Sequence, residues 1–443
     1  MQTKFTAAQL HQPEMIATEK AIRTCVHCGF CLATCPTYLL LGDELDSPRG
    51  RIYQIKEMLE SDLAPSPETV KHVDRCLSCL SCVTTCPSGV NYTRLIDQAR
   101  SYIEENHTRS WHDRWLRAFL AFVLPRRAVF RTLLRLSPLG RPFAALLPAR
   151  LRAMVLMAPS KLPARHTSEV PQVFRASGEC KGRIALLIGC AQPVLAPQIN
   201  AAAVRYFNRL GKDVIVAPGV GCCGALPHHL GKIEQSHVMA KANIAAWSTL
   251  IEEEGGLDAI VITASGCGTS VKDYGYMFKD DPVWSERAAR VSTLAKDVSE
   301  VLVTMEDAAP VSGYLARDKD IKVAYQSACS MQHGQQITRE PIDLLKAAGF
   351  IVVEPKEKHI CCGSAGTYNI LQPEIATQLR SRKAQALEAT GADVIATGNL
   401  GCMAQIAQGT NIPVLHTLEL LDWAAGGPMP QVLAGRSDSY PQK

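Results

Sequence analysis

Of the 17 cysteines in this chain, sixteen fall into two patterns whose spacing suits metal chemistry. The first is a ladder written twice, Cys25-x2-Cys28-x2-Cys31-x3-Cys35-Pro36 and Cys76-x2-Cys79-x2-Cys82-x3-Cys86-Pro87. Three closely spaced thiolates can hold three irons of a cubane, and a fourth cysteine followed by proline completes a cluster. This is the bacterial ferredoxin spacing for a pair of [4Fe–4S] centres, in which the fourth cysteine of each run ligates the other cluster. The expected ligand sets are therefore Cys25, Cys28, Cys31 and Cys86 for one centre, and Cys76, Cys79, Cys82 and Cys35 for the other. Four-cysteine zinc sites are the competing explanation. They use two separated CxxC pairs and gain nothing from the middle cysteine or the trailing Cys-Pro. The chemistry implied is transfer of single electrons, and no catalytic residue is assigned.

The second pattern is an internal repeat that begins near Arg183. Two short apolar strands end in cysteine, RIALLIGC (Arg183 to Cys190) and KVAYQSAC (Lys322 to Cys329). A helical stretch follows each, Asn200 to Leu210 and Glu340 to Ala348, and stops at a capping glycine, Gly211 or Gly349. A second strand then leads to Cys222-Cys223-Gly224 in one copy and Cys361-Cys362-Gly363 in the other. A further helix, Ser236 to Leu250 or Glu374 to Glu388, and a strand from Asp258 or Asp393 deliver Cys267 and Cys402. Strands alternating with helices predict parallel sheets, and loops leaving the carboxyl ends of such strands are where α/β proteins gather their sites. Each copy thus offers four candidate ligands: Cys190, Cys222, Cys223 and Cys267, then Cys329, Cys361, Cys362 and Cys402. Free cysteine is often only a small buried hydrophobe, but that does not explain the recurrence of three loops at matched spacing. A further cluster, zinc, a redox dithiol and inert packing all remain open for these lobes. Ser265, Ser327, His228, His229, His333 and His359 are nearby groups that could support a metal site. His27 sits inside the first ladder, and Cys180 stands apart with no counterpart in the repeat and is expected to be structural.

The elements that position these residues suggest an α+β multidomain chain. A mainly helical two-cluster ferredoxin-type domain is expected over 15–108, because the 40 residues between the ladders carry apolar positions 52, 55, 58 and 59 at helical spacing. A connector follows over 109–179, then two pseudo-repeated α/β Cys-Cys-Gly lobes over 180–312 and 320–426. The connector is strongly basic: from Thr108 to His166 eleven arginines and one lysine face a single acid, Asp113, although the whole chain carries only +5. Prolines break it into short amphipathic helices bearing Trp111, Trp115, Phe119, Phe122, Phe130 and Phe143. Such a strip can dock an acidic partner or lie on anionic lipid. Its arginines can equally cover apolar surface with their stems. Nucleic acid is not expected, since no recognised nucleic-acid module accompanies the charge.

No stretch approaches the roughly 20 apolar residues of a membrane span, and the first residues lack a signal-peptide pattern. Thiols serving as iron ligands must stay reduced. A cytoplasmic location is expected, with peripheral contact at the inner face of the membrane as an option.

The whole order resembles the glycolate oxidase iron–sulfur subunit family. The resemblance is carried by CVHCGFCLATCPTYLLLGDELDSPRGRI from Cys25, RCLSCLSCVTTCPSGVNY from Arg75, GCAQPVLAPQINAA from Gly189, TASGCGTSVKDYG from Thr263 and CCGSAGTYNILQPEIATQLR from Cys361. It implies electron transfer between a partner flavoprotein, carrying FAD and oxidising glycolate to glyoxylate, and a quinone or the respiratory chain. Related subunits serving lactate or anaerobic glycerol-3-phosphate dehydrogenases are the alternatives, as is a heterodisulfide-reductase-like enzyme acting at the lobe cysteines. That last family ends its lobes in a CxxC pair. This chain reads Cys267-Gly-Thr-Ser270 and Cys402-Met-Ala-Gln405, one thiol short in each lobe, which speaks against disulfide-cleaving chemistry there.

Overall fold

The computed structural model describes residues 1–253, 255–305 and 321–434. Positions 306–312 of the expected first lobe, and residue 320 at the start of the second, lie outside the described residues.

The first unit is helical. Helices Pro13–Thr24, Pro48–Ser61, Pro67–Asp74 and Tyr92–Asn106 bury Ile22, Ile52, Ile55, Val73, Leu95, Ile96 and Ala99 in one core. Two of them start by the same local rule. Ser47 and Ser66 accept the backbone N–H of Gly50 and Thr69, and Pro48 and Pro67 fill first-turn positions whose N–H would be unpaired anyway. Gly50 has a packing reason as well: a Cβ there would lie 2.0 Å from the Glu44 carbonyl oxygen. The short turn Glu44–Asp46 therefore rests directly on this helix and brings Asp46 and Arg51 together in the interior.

The repeat folds as two sheets. The first contains β1 (Gln172–Phe174), β2 (Arg183–Leu187), β3 (Asp213–Val216), β4 (Ala259–Ile262) and β5 (Ala295–Asp297), in the order β1-β3-β2-β4-β5. All neighbours are parallel except β1 on β3. The second contains β6 (Lys322–Tyr325), β7 (Ile351–Val353), β8 (Val394–Thr397) and β9 (Val414–His416), all parallel, in the order β7-β6-β8-β9. In each lobe the strand before the first cysteine is central, with the other two cysteine-bearing strands on either side. That places the three loops at the switch point where chain connections diverge. The fully buried strand interiors, such as Ile184 to Leu187 and Ala259 to Ile262, are the continuous apolar runs expected of a doubly covered parallel sheet.

The lobes share a core in which Leu186, Phe207 and Val261 meet Val323, Leu345 and Leu421. The connector adds helices Trp111–Val123, Arg127–Leu136 and Ala149–Met157, with a ten-residue 3-10 stretch, Ser137–Leu146, among them. Many of its arginines are tied down internally. Arg109 and Arg117 both bind Asp74, Arg117 and Arg150 bind Asp113, and buried Arg131 donates to the carbonyls of Pro163 and Pro193. Among the described residues, no helix is long and apolar enough to cross a membrane.

Candidate iron–sulfur sites

The ladder loops line two adjoining cavities. One is lined by Cys25, Cys28, Cys31 and Cys86, and also by Cys82. The other is bounded by Cys35, Cys76, Cys79 and Cys82. Short helical turns, Phe30–Thr34 and Ser81–Thr85, lift the third cysteine of each run, and Pro36 and Pro87 turn the chain away after the fourth. The first cavity lies near the surface. Cys28 is exposed there, as are Val26 and Phe30. The second is interior, with Cys35, Cys76 and Cys79 buried.

The side chains fit iron–sulfur centres better than bare thiols. Burial pushes the Cys31 thiol up to about 11 and drives Cys79 and Cys82 well above their ordinary range, with neighbouring cysteines adding to the effect. So many thiolates cannot share a dry space without cations between them; iron held by these cysteines would supply them, and a bound cubane would take up and release one electron at a time. In the first cavity, His27 Nε2 is buried without a hydrogen-bond partner, as a donor reserved for a sulfur would be. In the second, Tyr92 Oη lies 3.9 Å from Cys76 Sγ, and Arg51 Nη1 lies 3.9 Å from Cys35 Sγ.

Both lobe quartets converge. In the first lobe, Cys190 and Cys222, Cys222 and Cys223, and Cys223 and Cys267 are close enough to shift one another's protonation. In the second, Cys329 Sγ lies 3.8 Å from Cys361 Sγ, and the chain of contacts continues through Cys362 to Cys402. The glycine after each pair is required by geometry. Gly224 and Gly363 have φ of 84° and 87°, and an added Cβ would lie 2.9 Å from the Ser236 carbonyl oxygen or 2.6 Å from that of Ala376. Mutual hydrogen bonding and burial hold Cys190 and Cys223 well above the usual thiol range, although their bonded neighbour Cys222 pulls Cys223 the other way. The quartets have the donor chemistry of tetrathiolate metal sites.

The supporting groups named from sequence are scattered. His333 Nδ1 pairs with Thr84 Oγ1 at 2.7 Å, joining the second lobe to the ladder unit, while its Nε2 faces the His359 carbonyl at 3.4 Å. Ser265 Oγ bonds Ser330 Oγ at 2.7 Å between the lobes. His228 and His229 stack on each other near Asp97. Ser327 is buried, and its carbonyl takes a bond from the Gln326 side chain. Cys180 is exposed and faces the Gly182 carbonyl, far from a packing role. Sequence reasoning missed Arg51, Asp46 and Lys383. Lys383 is 2 % exposed, donates to the Glu357 carbonyl, and lies in the electrostatic reach of all four second-lobe thiols. A lone basic residue within a helical pattern gives no sign that it faces inward.

Fold and sites together define an iron–sulfur electron-transfer protein built from a helical two-centre unit and a duplicated cysteine-rich module. Comparison with known proteins agrees: residues 21–90 match the 4Fe-4S dicluster domain, and residues 184–272 and 323–407 match the Cysteine-rich domain. The glycolate oxidase iron-sulfur subunit of Escherichia coli (strain K12) is 43% identical over 424 residues, covering 96% of this chain and 99% of that protein. The probable glycolate oxidase iron-sulfur subunit of Bacillus subtilis (strain 168) is 33% identical, covering 92% and 95%. The chain belongs to the glycolate oxidase iron–sulfur subunit family. Lactate utilization protein A of Bacillus licheniformis is 26% identical over 54% of this chain and 99% of its own. A crystal structure of a hypothetical protein from Helicobacter pylori shares the fold, with TM-score 0.56 at 11% identity over 97% of this chain and 75% of that one.

Proposed function

We propose that this chain carries two [4Fe–4S] centres, one on Cys25, Cys28, Cys31 and Cys86 and one on Cys76, Cys79, Cys82 and Cys35. It takes electrons from a flavoprotein partner and passes them toward a quinone or the respiratory chain. The partner's FAD would oxidise glycolate to glyoxylate, removing two electrons and two protons. The two centres then accept those electrons singly from the reduced flavin. The observation that carries this reading is the pairing of cavities, each bringing together three cysteines of one ladder and the fourth of the other. The lobe quartets are read as sites for a further cluster or zinc. Exposed Trp111, Trp115, Phe143 and Leu146 on the basic connector support its use as a docking face for the flavoprotein or the membrane surface.

The test is an anaerobic preparation of the chain with its co-purifying partners. About eight irons with matching sulfide are expected from the ladders, together with glycolate-dependent reduction of the centres when the flavoprotein is present. Fewer than about four irons after reconstitution defeats the two-centre assignment. Reduction by lactate or glycerol 3-phosphate but not glycolate defeats the substrate assignment.

A further inference from the structure

We infer that Arg51 sets the reduction potential of the centre bounded by Cys35, Cys76, Cys79 and Cys82, through a guanidinium held in a dry pocket against the Cys35 sulfur. This rests on the two-centre reading above. Reduction adds a negative charge to a site already rich in thiolates. The more deeply such a site is buried, the less water helps to carry that charge, so a nearby fixed cation weighs more.

Arg51 is 1 % exposed and lines this cavity. Its donors are divided among different tasks. Nε donates to the His72 carbonyl at 2.7 Å, and Nη2 donates to Thr37 Oγ1 at 3.1 Å and Asp46 Oδ1 at 3.2 Å. Nη1 is turned toward Cys35 Sγ. Thr37 Oγ1, which Arg51 holds, also lies 3.3 Å from the same sulfur. The guanidinium thus reaches the cluster ligand directly and through a hydroxyl.

A simple ion pair would cancel this charge, but the counter-ion is shared. Asp46, fully buried, also binds Arg75 through Oδ2 at 2.7 Å. Arg51 and Arg75 share Asp46, with His72 3.0 Å from Asp46 Oδ1 and the carboxylate of half-buried Asp43 within 4.8 Å of the Asp46 and His72 side chains; of these groups, it is the Arg51 guanidinium that is turned onto the Cys35 sulfur. Around the first centre the corresponding cation is Arg49, which is one-third exposed, pairs with Glu44 one-to-one and donates to the His27 carbonyl. Solvent screens that pair. The inward cation belongs to the second centre.

The experiment is an EPR-monitored redox titration of the full-length chain, purified anaerobically, with iron and sulfide counted in each variant. Arg51→Gln should lower the reduced-to-oxidised ratio of the second centre at least tenfold at a fixed potential, which is a shift of about 59 mV for one electron. The first centre should titrate as before. Arg51→Lys keeps the charge without the planar fork and should restore most of the wild-type potential. Asp46→Asn removes the counter-charge and should shift the second centre upward. Wild-type titration in Arg51→Gln, equal shifts at both centres, or a Lys variant displaced as far as the Gln variant would each overturn the inference. If the Gln variant cannot hold the centre, the Asp46→Asn titration decides it, and a second centre unshifted or shifted downward there overturns the inference. A wild-type chain that binds no pair of centres overturns the two-centre reading itself, and this inference with it.

Discussion

The two cysteine lobes have nearly the same local construction and very different neighbours. Both present four thiols at the carboxyl ends of three adjacent parallel strands. The second quartet, however, abuts the ladder unit. Cys329 lies close enough to Cys79 to raise its pKa, and Leu77 and Cys79 pack with Ile360, Cys361 and Tyr368 in one apolar cluster. Tyr368 Oη also donates to the Arg75 carbonyl at 3.0 Å. The first quartet borders the connector instead: Arg127 donates to the Gly189 carbonyl and lies in the field of Cys190 and Cys222. The ladder unit still touches the first lobe, through the Arg94 fork on Asp273 and through Lys232 on Glu104 at 2.7 Å, but away from its thiols. Duplication therefore produced two like sites, of which one abuts the second ladder cavity.

The largest effect is expected where the ladder meets the second lobe. Cys79→Ala should remove one centre, about four irons, and abolish its reduced-state EPR signal while the first centre's signal survives. Loss of both signals would show that the two cavities do not bind independently. Cys180→Ala is the matched control and should change neither.

The lobes themselves can be compared by paired substitution. Cys361→Ser should alter the second ladder centre's EPR relaxation as well as the metal content of its own lobe, whereas Cys222→Ser should alter only metal content. Identical spectra in the two variants would erase the functional distinction drawn from the packing. A smaller, structural difference is expected at the connector. Asp74 holds both Arg109 and Arg117 with all three side chains largely buried. Removing it in Asp74→Ala leaves the two guanidiniums only Asp113 and Glu104 as counter-ions and should cost about 1–3 kcal/mol of connector docking, read as faster proteolysis between residues 109 and 157. Unchanged cleavage would mean that the apolar contacts of Leu116 and Leu120 suffice.

Much of this architecture was legible because it is local. The ladders, the repeat and the two large lobe helices follow from spacing and periodicity: the helices expected from Ser236 and Glu374 are found as Ile233–Glu252 and Pro373–Glu388. What escaped was small or long-range. β1 is three residues, Gln172–Phe174, two of them exposed, whose pattern contains no burial signal, and among the described strands it alone runs antiparallel. β5 and β9 are equally short and owe their state to the neighbouring strand, not to propensity. Asp46 and Arg51 are ordinary charged residues in the sequence; the close approach at Gly50 brings them together in the interior, where half-buried Arg75 joins them. The docking of the second lobe on the ladder unit depends on surface complementarity, which periodicity does not encode.

That docking gives the smallest effect and a sign that can be worked out. His333 bridges to Thr84, and burial lowers its pKa from 6.5 to about 4. In the docked state it is neutral from pH 7 down to about 4; once released, the imidazole regains its ordinary affinity for a proton. Below about 6.5 the separated state therefore binds a proton that the docked state refuses, so contact weakens as pH falls toward 4 and changes little further beyond that. Between pH 7 and pH 5 the loss should be about 1–2 kcal/mol. Burial also depresses His229 to about 3 and His416 to about 4, and both will contribute acid sensitivity of their own. His333→Gln separates the contributions, because glutamine can bond Thr84 without titrating. Hydrogen exchange in the turn Ser81–Thr85 should quicken from pH 7 to pH 5, after correction for intrinsic rates, more in the wild type than in this variant. Equal acceleration in both would move the acid-sensitive contact to the lobe–lobe boundary, where His416 Nε2 meets the Thr263 carbonyl at 2.7 Å.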